Sequence, residues 1–372
     1  MYKTENIKPI LIFPAGMPRS LDYLSTCLRE RRPVIGSSSL DYDVSRGKYP
    51  AWCHLPFVND PAFNDALKAA IKEFGIGGIY TPNPVVWGYL NRVLQTIDPE
   101  VFLINDSPVT NELSGYRAAT AYARQAFNAP LEIGSPIRPR QSISELEIAT
   151  LFRHGNIIPG MCDGEKISAL CEIFRYAVEG DVVEIGSAWG KSAFILARLA
   201  QCYGIGNTLC VDPWSVEFLK QNDNGGLVDQ TIDQYDTNET LRVFEMNLLP
   251  YNKGDINYLR MASVAAAGHY TAHRNATTES FGSTDYAMRI AVLHIDGNHS
   301  HDAAKSDVEA WAPHVVAGGW IIVDDYVWPY GDGPQRVGNA LIAEHQTQIA
   351  VSFVIGSALF IQLSTQLQMV KQ

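Results

Sequence analysis

Cysteine is scarce in this 372-residue sequence, and closely paired cysteines are absent. None of the six cysteines lies in a C-x-x-C motif, so neither a zinc ribbon nor a disulfide framework is expected. The longest apolar stretch near the C-terminus, "VSFVIGSALFIQL", is too short to span a bilayer. The N-terminal "MYKTENIKPILIF" lacks the features of a signal peptide. These absences favour a soluble cytoplasmic protein with no membrane partner.

Positive charge is also limited. The chain has 29 Lys and Arg residues against 40 Asp and Glu residues, which gives a formal net charge of −11. This balance argues against nucleic acid or an anionic membrane as a partner. With 46% hydrophobic and 19% charged residues the composition is globular, and the length predicts two or three domains.

Strand and helix patterns alternate in the N-terminal part of the chain. The apolar runs "PILIFPAG", "PVIGSSS", "IGGIYTP" and "EVFLIND" predict strands. The segment "DPAFNDALKAAIKEFG" predicts a helix that starts at Asp60 and Pro61 and ends at Gly75. This β-α-β pattern predicts a small parallel sheet. It resembles the Rossmann-like lobe that precedes ATP-grasp ligase domains, which implies a role in substrate recognition or in oligomer contact.

Two details of this N-terminal part bear on its role. The segment "GMPRS" (16–20) precedes a helix and could hold an anion, although an ordinary loop explains it as well. Phe57, Tyr80 and Trp87 are interpreted as core residues.

The segment "PLEIGSPIRPRQSISELEIA" contains three prolines and several polar residues, and it predicts a linker. We therefore expect an N-terminal auxiliary domain at 1–135, a linker at 136–150 and a second domain at 151–372.

The second domain repeats the α/β pattern on a larger scale. Apolar runs in "DVVEIG", "TLCVD", "INYLRMAS", "IAVLHIDG" and "GGWIIVDDY" predict strands separated by helices. The final "AVSFVIG" and "ALFIQL" predict a hairpin-like pair. These runs do not alternate between apolar and polar residues, which indicates strands covered on both faces. The expected fold class is therefore α/β in both domains.

A glycine-rich loop follows the first strand of this domain. In "DVVEIGSAWGKSAFI" the pattern is E-x-G-x-x-x-G-x-S, with Gly186 allowing a sharp turn and Gly190 allowing a ligand to approach a helix N-terminus. Asp212 ends the next strand, where a carboxylate can bind both hydroxyls of a ribose. The dinucleotide pattern G-x-G-x-x-G is not present, because position 188 is Ala188. An ordinary tight turn would also account for the loop.

This loop resembles motif one of the class I S-adenosylmethionine-dependent methyltransferases, and the resemblance extends over residues 150–365. It implies a mostly parallel seven-stranded sheet with a reversed edge strand, and S-adenosylmethionine as the cofactor. Asp212 then corresponds to the ribose acid, Trp214 lies beside the adenine, and Ser263 occupies a position that faces the adenine. The resemblance implies the following cofactor-binding residues: Glu184, Gly186, Ser187, Gly190, Ser192, Asp212, Trp214, Ser263 and Asp296.

Three carboxylates end two further strands of this domain. Asp296 follows "VLHI", and Asp324 and Asp325 follow "GWIIV". Because ligands in such sheets bind at the carboxyl ends of strands, we expect the three side chains to converge. Close carboxylates repel one another, and a cation relieves that repulsion. Oxygen ligands favour Mg²⁺ first, with Ca²⁺ or Mn²⁺ as alternatives.

The acid cluster is similar to that of the metal-assisted O-methyltransferases acting on macrolide sugars and related natural products. That family shows D-G-x-H-S and later a D-D or E-D pair, which implies Asp296, Asp324 and Asp325 as metal ligands and His299 as the catalytic base. His301 stands where the family usually has Tyr, and Asp324 stands where many relatives have Glu. The implied activity is methyl transfer to a hydroxyl of a small molecule, such as a sugar or a secondary metabolite.

Other interpretations of these residues stay open at this stage. His299 could only cap the next helix or bond to Asp296, His294 is expected in the core, and His301 is expected to be exposed or to line the acceptor pocket. A zinc site of His294, Asp296, His299 and His301 is conceivable. Rival functions are a nicotinamide oxidoreductase, a non-catalytic cofactor-binding module, and a relative of hydroxylase-annotated enzymes. A homo-oligomer is plausible.

Overall fold

The computed structural model describes residues 7–221 and 226–367. The chain divides into two compact units, the first ending at Arg117 and the second beginning at Ala118. The division falls within a long helix, Pro108–Asn128, and another helix begins at Glu145, inside the segment predicted as a linker. The domain boundaries predicted from the sequence therefore stay a prediction.

The first unit contains a parallel sheet in the strand order β3-β2-β1-β4-β5. Its strands are β1 (Ile10–Ile12), β2 (Val34–Ser38), β3 (Trp52–His54), β4 (Gly78–Tyr80) and β5 (Phe102–Leu103). Its helices are α1 (Pro18–Arg29), α2 (Phe63–Phe74), α3 (Pro84–Ile97) and the first part of α4 (Pro108–Asn128). Every strand pair is parallel, as the β-α-β pattern predicted.

Helix α2 allows the start and the end predicted from its sequence to be compared with the observed ones. It ends at Gly75, which adopts the left-handed conformation expected of a terminating glycine (φ 64°). It begins at Phe63 rather than beside Pro61, because Asp60 instead forms a turn in which its carboxylate accepts a hydrogen bond from the Ala62 backbone at 2.8 Å. The helix was therefore predicted correctly in type and in end, with a start three residues too early.

The second unit is built around a seven-stranded sheet in the order β13-β14-β12-β11-β6-β7-β8. These strands are β6 (Asp181–Ile185), β7 (Thr208–Val211), β8 (Ile256–Leu259), β11 (Ile290–Ile295), β12 (Val315–Val323), β13 (Ile349–Ile355) and β14 (Ala358–Leu363). The helices after α4 are α5 (Glu145–Gly155), α6 (Gly164–Ile173), α7 (Lys191–Tyr203), α8 (Val216–Leu219), α9 (Leu227–Ile232), α10 (Thr237–Leu248), α11 (Ser263–His273), α12 (His301–Trp311) and α13 (Gly333–Glu344).

The direction of the strands confirms the predicted fold. Neighbouring strands from β12 through β8 are parallel, while β14 runs antiparallel to both β12 and β13. The reversed strand β14 therefore lies one position in from the edge, which β13 forms, so the prediction that the reversed strand is the edge strand is wrong in its position. Strands β6, β11 and β14 are buried along their whole length, which explains why most of their residues are apolar and do not alternate with polar ones.

A small antiparallel hairpin, β9 (Asn275–Thr278) and β10 (Gly282–Asp285), was not predicted. Its residues are mostly Thr, Ser, Asn and Gly, so it carries no apolar strand signal. The buried side chain of Asn257 in β8 donates to the backbone oxygens of Ala276 and Gly282 at 2.9 Å each, and these bonds hold the hairpin in place. Within the described part of the chain, no helix is both long and apolar enough to cross a membrane.

Candidate functional site

The glycine loop and the Asp296 loop meet at the carboxyl edge of the second sheet. Gly186 has a φ of 82°, which confirms the predicted sharp turn. A Cβ atom on Gly186 would lie only 2.0 Å from the carbonyl oxygen of Asp296. Glycine is therefore required here both by the backbone conformation and by the contact between the two loops.

Asp212 organises the glycine loop. Its Oδ2 accepts hydrogen bonds from the backbone N–H groups of Ser187 and Ala188 at 3.0 Å each, and its Oδ1 accepts one from Trp214 at 2.7 Å. Burial raises the pKa of Asp212, although these three hydrogen bonds act in the opposite direction. The sequence predicted only a ribose-binding role for this carboxylate, whereas the structure shows that it also holds the loop closed.

Three of the six described non-glycine residues with a positive φ lie around this edge of the sheet. Ala188 (φ 42°), Trp214 (φ 40°) and Asp325 (φ 48°) all adopt the left-handed region that residues with a side chain avoid. Such strain persists only where the surrounding structure determines it, and it is common at functional sites. The observation marks this edge as a candidate site independently of any motif.

Two cavities lie at this edge, with volumes of about 270 Å³ and about 360 Å³. They lie side by side, and we describe them as two arms of one site because they share five lining residues: Gly186, Ala188, Asp212, Leu219 and Asp296. The first arm, which we call the acidic arm, contains most of the predicted site residues: Ser187, Ser192, Trp214, His299, Asp324 and Asp325. The second arm contains Ser263.

Two of the predicted cofactor-binding residues line neither arm. Glu184 is fully buried within the sheet, where it pairs with His294 of the neighbouring strand. Gly190 is covered by other residues, since a Cβ atom there would lie 2.6 Å from Leu248 and 3.0 Å from Phe244. The N–H of Gly190 donates to the carbonyl of Ser187 at 2.7 Å. Gly190 therefore serves the packing of helix α10 against the loop.

Asp296, His299 and Asp325 come together on the wall of the acidic arm. His299 Nε2 lies 3.3 Å from Asp325 Oδ2 and 3.8 Å from Asp296 Oδ1. The imidazole packs edge-on against Trp328, with ring centroids 4.4 Å apart. Helix α12 is capped by Ser300 rather than by His299, so the capping interpretation of His299 is wrong. Trp328 carried no motif and was not predicted.

The surroundings of Asp296 and Asp325 shift the pKa values of the two carboxyl groups in opposite directions. Burial alone would raise the pKa of Asp296, but the His299 hydrogen bond and the nearby Lys166 and His294 outweigh it and lower the pKa. Burial and the charge of Asp296 raise the pKa of Asp325. Asp296 is therefore the more readily ionised of the two, as expected for close carboxylates in different surroundings.

Asp324 belongs to a separate buried network that the sequence did not reveal. Its Oδ2 accepts a hydrogen bond from the ammonium group of Lys166 in α6, and both side chains are almost fully buried. His294 Nε2 lies 3.4 Å from the same oxygen, and His294 Nδ1 lies 3.2 Å from Glu184 Oε1. The expectation that His294 is buried is confirmed. Four ionisable groups therefore run in a chain from Lys166 to Glu184.

The described residues contain two overlapping groups whose ligand atoms lie within 4.8 Å of one another. One consists of His294, Asp296 and Asp324, and the other of Asp296, His299 and Asp325. The three predicted carboxylates are thus divided between two groups that share Asp296. His301 belongs to neither group, and its Nδ1 lies 3.0 Å from Asp302, so the four-residue zinc arrangement does not form.

Asp307 is a second ionisable residue that the sequence did not single out. It lies on α12, is nearly fully buried and lines the second arm beside Ser263. Burial raises the pKa of Asp307 to about 6, well above the usual value for an aspartate. Asp307 lies one helical turn before Trp311, on the same buried face of α12 as Ala304 and Val308. An acidic residue at a buried helical position is the sequence signal that could have identified it.

The raised pKa of Asp307 predicts a pH dependence of stability. Because the folded protein binds this proton more tightly than the unfolded chain, stability should fall as the pH rises from about 4 to about 6. This shift in pKa corresponds to a decrease of up to about 3 kcal/mol in the free energy of unfolding. As the pH rises from 4 to 7, the free energy of unfolding of Asp307→Asn should therefore increase by about 2–3 kcal/mol relative to that of the unsubstituted protein. Guanidinium denaturation at each pH measures this difference. Asp302→Asn, at a fully exposed position, is the control; an equal response of both variants would contradict the prediction.

Comparison with known proteins agrees with this geometry. Residues 183–326 match the family model described as a methyltransferase domain. No curated protein sequence matches the chain significantly.

The solved structures that are similar to the chain include the following three. The O-methyltransferase NovP has 15% identity and a TM-score of 0.40, covering 68% of this chain and 99% of NovP. The TDP-rhamnose 3'-O-methyltransferase CalS11 of calicheamicin biosynthesis has 15% identity and a TM-score of 0.36, and the match covers 70% of this chain and 96% of CalS11. The mycinamycin-pathway methyltransferase MycE, in complex with Mg and SAH, has 15% identity and a TM-score of 0.30, covering 50% and 46%. At these values, none of them decides the substrate or the metal of this chain.

The strand order, the glycine loop and the matched residues together identify a class I methyltransferase domain. The match to a methyltransferase domain covers residues 183–326, which lie within the second unit. This match favours a methyltransferase domain over the alternative of a nicotinamide oxidoreductase. The alternative was already disfavoured, because Ala188 stands where the dinucleotide-binding pattern has glycine.

Proposed function

We propose that the protein transfers a methyl group from S-adenosylmethionine to a hydroxyl of a small molecule, with the help of a divalent cation. A sugar or a secondary metabolite is the acceptor class that we expect. The observation that carries the proposal is the convergence of Asp296, His299 and Asp325 on the wall of the acidic arm, directly beside the glycine loop.

The second of the two groups suits a metal ion better than the first. In the first group the ammonium of Lys166 already neutralises Asp324, so a metal would have to displace a buried ion pair. In the group of Asp296, His299 and Asp325, the two carboxylates lie 3.8 Å and 3.3 Å from the His299 imidazole rather than in an ion pair with a lysine. Carboxylate oxygens are the ligands that Mg²⁺ prefers. We therefore propose Asp296 and Asp325 as the direct ligands, and Asp324 as a ligand only if it leaves Lys166.

The two arms provide a position for each part of the methyl donor. Ser263, Asp212 and Gly186 line the second arm, where they would bind the adenosine portion. Ser187 and Ser192 line the acidic arm, where they would bind the methionine portion. Trp214 is buried against Phe244 and Tyr258, and its indole N–H donates to the carbonyl of Ala188 at 3.0 Å. We therefore assign Trp214 to the support of the glycine loop rather than to adenine stacking.

The chain's own residues then account for the chemistry. The sulfonium of S-adenosylmethionine is already activated, so the acceptor hydroxyl is the group that needs help. A bound divalent cation makes such a hydroxyl easier to deprotonate. His299 accepts the hydroxyl proton as the oxygen attacks the methyl carbon and the carbon–sulfur bond breaks. Asp325 and Asp296 stabilise the imidazolium that forms, and Trp328 fixes the orientation of the ring.

A methyl-transfer assay tests the proposal. Methyl-labelled S-adenosylmethionine should label at least one compound in a panel of hydroxylated sugars and aromatic metabolites. Treatment with EDTA should lower the rate by about ten-fold or more, and added Mg²⁺ should restore it. Matched amine and thiol analogues of the accepted compound are the controls for acceptor type. Transfer that is unaffected by chelation would contradict the metal, and preferred transfer to the amine would contradict the hydroxyl acceptor.

A further inference from the structure

A separate cavity of about 570 Å³ lies at the carboxyl edge of the first sheet. The chain runs outward from β1 to β2 and β3 on one side, and then returns to β4 and β5 on the other side. Between β1 and β4 the order of the strands reverses, and such points are where open α/β sheets bind ligands. The cavity is lined by residues that follow β1, β2, β3 and β4, and its volume suits a small molecule.

The rim of this cavity is unusually apolar for a surface. Five large apolar residues on it are between 55% and 81% exposed: Leu40, Tyr42, Val44, Phe57 and Val85. Phe57 had been expected in the core, and that expectation is wrong. Clustered exposed apolar side chains commonly mark a binding site, because covering them removes apolar area from water.

One carboxylate gives the cavity its charge. Asp43 Oδ1 accepts hydrogen bonds from the N–H of Ser45 at 2.9 Å and from its hydroxyl at 2.6 Å. Burial alone would raise the pKa of Asp43, but the bonds from Ser45 and Ser38 outweigh it and lower the pKa below its usual value. Asp43 is therefore ionised at neutral pH. Among the described residues that line the cavity there is no lysine, arginine or histidine.

This carboxylate decides which ligands fit. A Cβ atom on Gly16 would lie 3.0 Å from Asp43 Oδ2, so the negative charge stands directly beside the turn that leads into α1. A phosphate or carboxylate at residues 16–20 would be repelled there. The anion-binding interpretation of this turn is therefore disfavoured, and so is a nucleotide at this sheet edge.

We propose that this cavity binds a small cationic ligand, a protonated amine carried on an apolar body. The ammonium pairs with Asp43, and the apolar body covers Tyr42, Phe57 and the neighbouring rim. The site belongs to the first unit alone and does not depend on the methyl-transfer chemistry proposed for the second.

Three probes of the same shape test the charge preference on the full chain: benzylamine, benzyl alcohol and benzoate. Their dissociation constants can be measured by ligand-observed NMR. Benzylamine should bind about five-fold more tightly than benzyl alcohol, and benzoate should bind least, since a partly exposed ion pair contributes about 1 kcal/mol. Asp43→Asn should remove the preference, whereas Asp41→Asn, at a neighbouring exposed position outside the cavity, should leave it intact.

A second variant covers the case in which Asp43→Asn disturbs the loop around Ser45. Tyr42 is 81% exposed, so Tyr42→Ala should leave the fold intact while weakening all three probes by about two- to five-fold. Equal affinities for the three probes would overturn the proposal. So would a benzylamine preference that survives in Asp43→Asn, or probe affinities that do not change in Tyr42→Ala.

Discussion

Lys166→Met should lower the free energy of unfolding by about 3–5 kcal/mol, the cost typical of leaving one partner of a buried ion pair without its counter-charge. Methionine keeps much of the length and the apolar contacts of the side chain but removes the ammonium. Asp324 then stays buried beside His294 without the ammonium group that was its ion-pair partner. Guanidinium denaturation followed by circular dichroism at pH 7 measures the change.

Two further variants distinguish the loss of the Lys166–Asp324 ion pair from a general destabilisation of the fold. Lys305→Met removes a half-exposed lysine whose ammonium lies 3.6 Å from Glu309, and it should cost less than about 0.5 kcal/mol. The double variant Lys166→Met/Asp324→Asn should recover more than half of the loss, because neither buried charge is then left alone. A single variant as stable as the unsubstituted protein, or a double variant that is no better than the single one, would contradict this account.

Asp296→Asn should lower kcat for methyl transfer by about 10²–10⁴-fold. Asp296 belongs to both candidate metal groups and lines both arms of the site, so under the proposed mechanism its charge would hold the cation and orient His299. Asparagine keeps the shape of the side chain but removes the charge. Steady-state kinetics at saturating Mg²⁺ and S-adenosylmethionine measure the effect.

Asp302→Asn is the matched control for Asp296→Asn. It makes the same chemical change six positions further along the chain, at a side chain that is 100% exposed, and kcat should stay within about two-fold. If Asp296→Asn kept more than about a tenth of the activity, neither metal binding nor His299 orientation could depend on this carboxylate as proposed.

The fold could be predicted because its signals are local. Strands such as β6 and β11 are buried along their whole length, so most of their residues are apolar, and Gly75 ends its helix in the left-handed conformation that glycine readily adopts. The hairpin β9–β10 was missed because its stability depends on Asn257, a buried residue of another strand. A polar hairpin held by a distant side chain leaves no periodic pattern in its own sequence.

The acidic site could be predicted only in part, for a similar reason. Parallel strands end at one edge of a sheet, so Asp296, Asp324 and Asp325 were predicted to converge there, and two of them, Asp296 and Asp325, lie in one group with His299. The pairing of Lys166 with Asp324 joins residues 158 positions apart, and no motif encodes it. Its one sequence signal is a lysine on the buried face of α6, in helical register with Leu170 and Ile173.

Glu184 is a position where the family pattern and the structure point to different roles. It stands at a position that the family pattern associates with the cofactor, yet its side chain turns into the sheet toward His294. That direction depends on the register between β6 and β11, in which Glu184 and His294 are direct partners. Register between distant strands cannot be derived from either strand alone.

A crystal grown with Mn²⁺ and S-adenosylhomocysteine would test the central claim most directly, through its anomalous difference map. The account predicts one strong peak within about 2.5 Å of carboxylate oxygens from both Asp296 and Asp325, with Lys166 still paired to Asp324. No peak at these carboxylates, or a peak between His294 and Asp324 with Lys166 displaced, would contradict it.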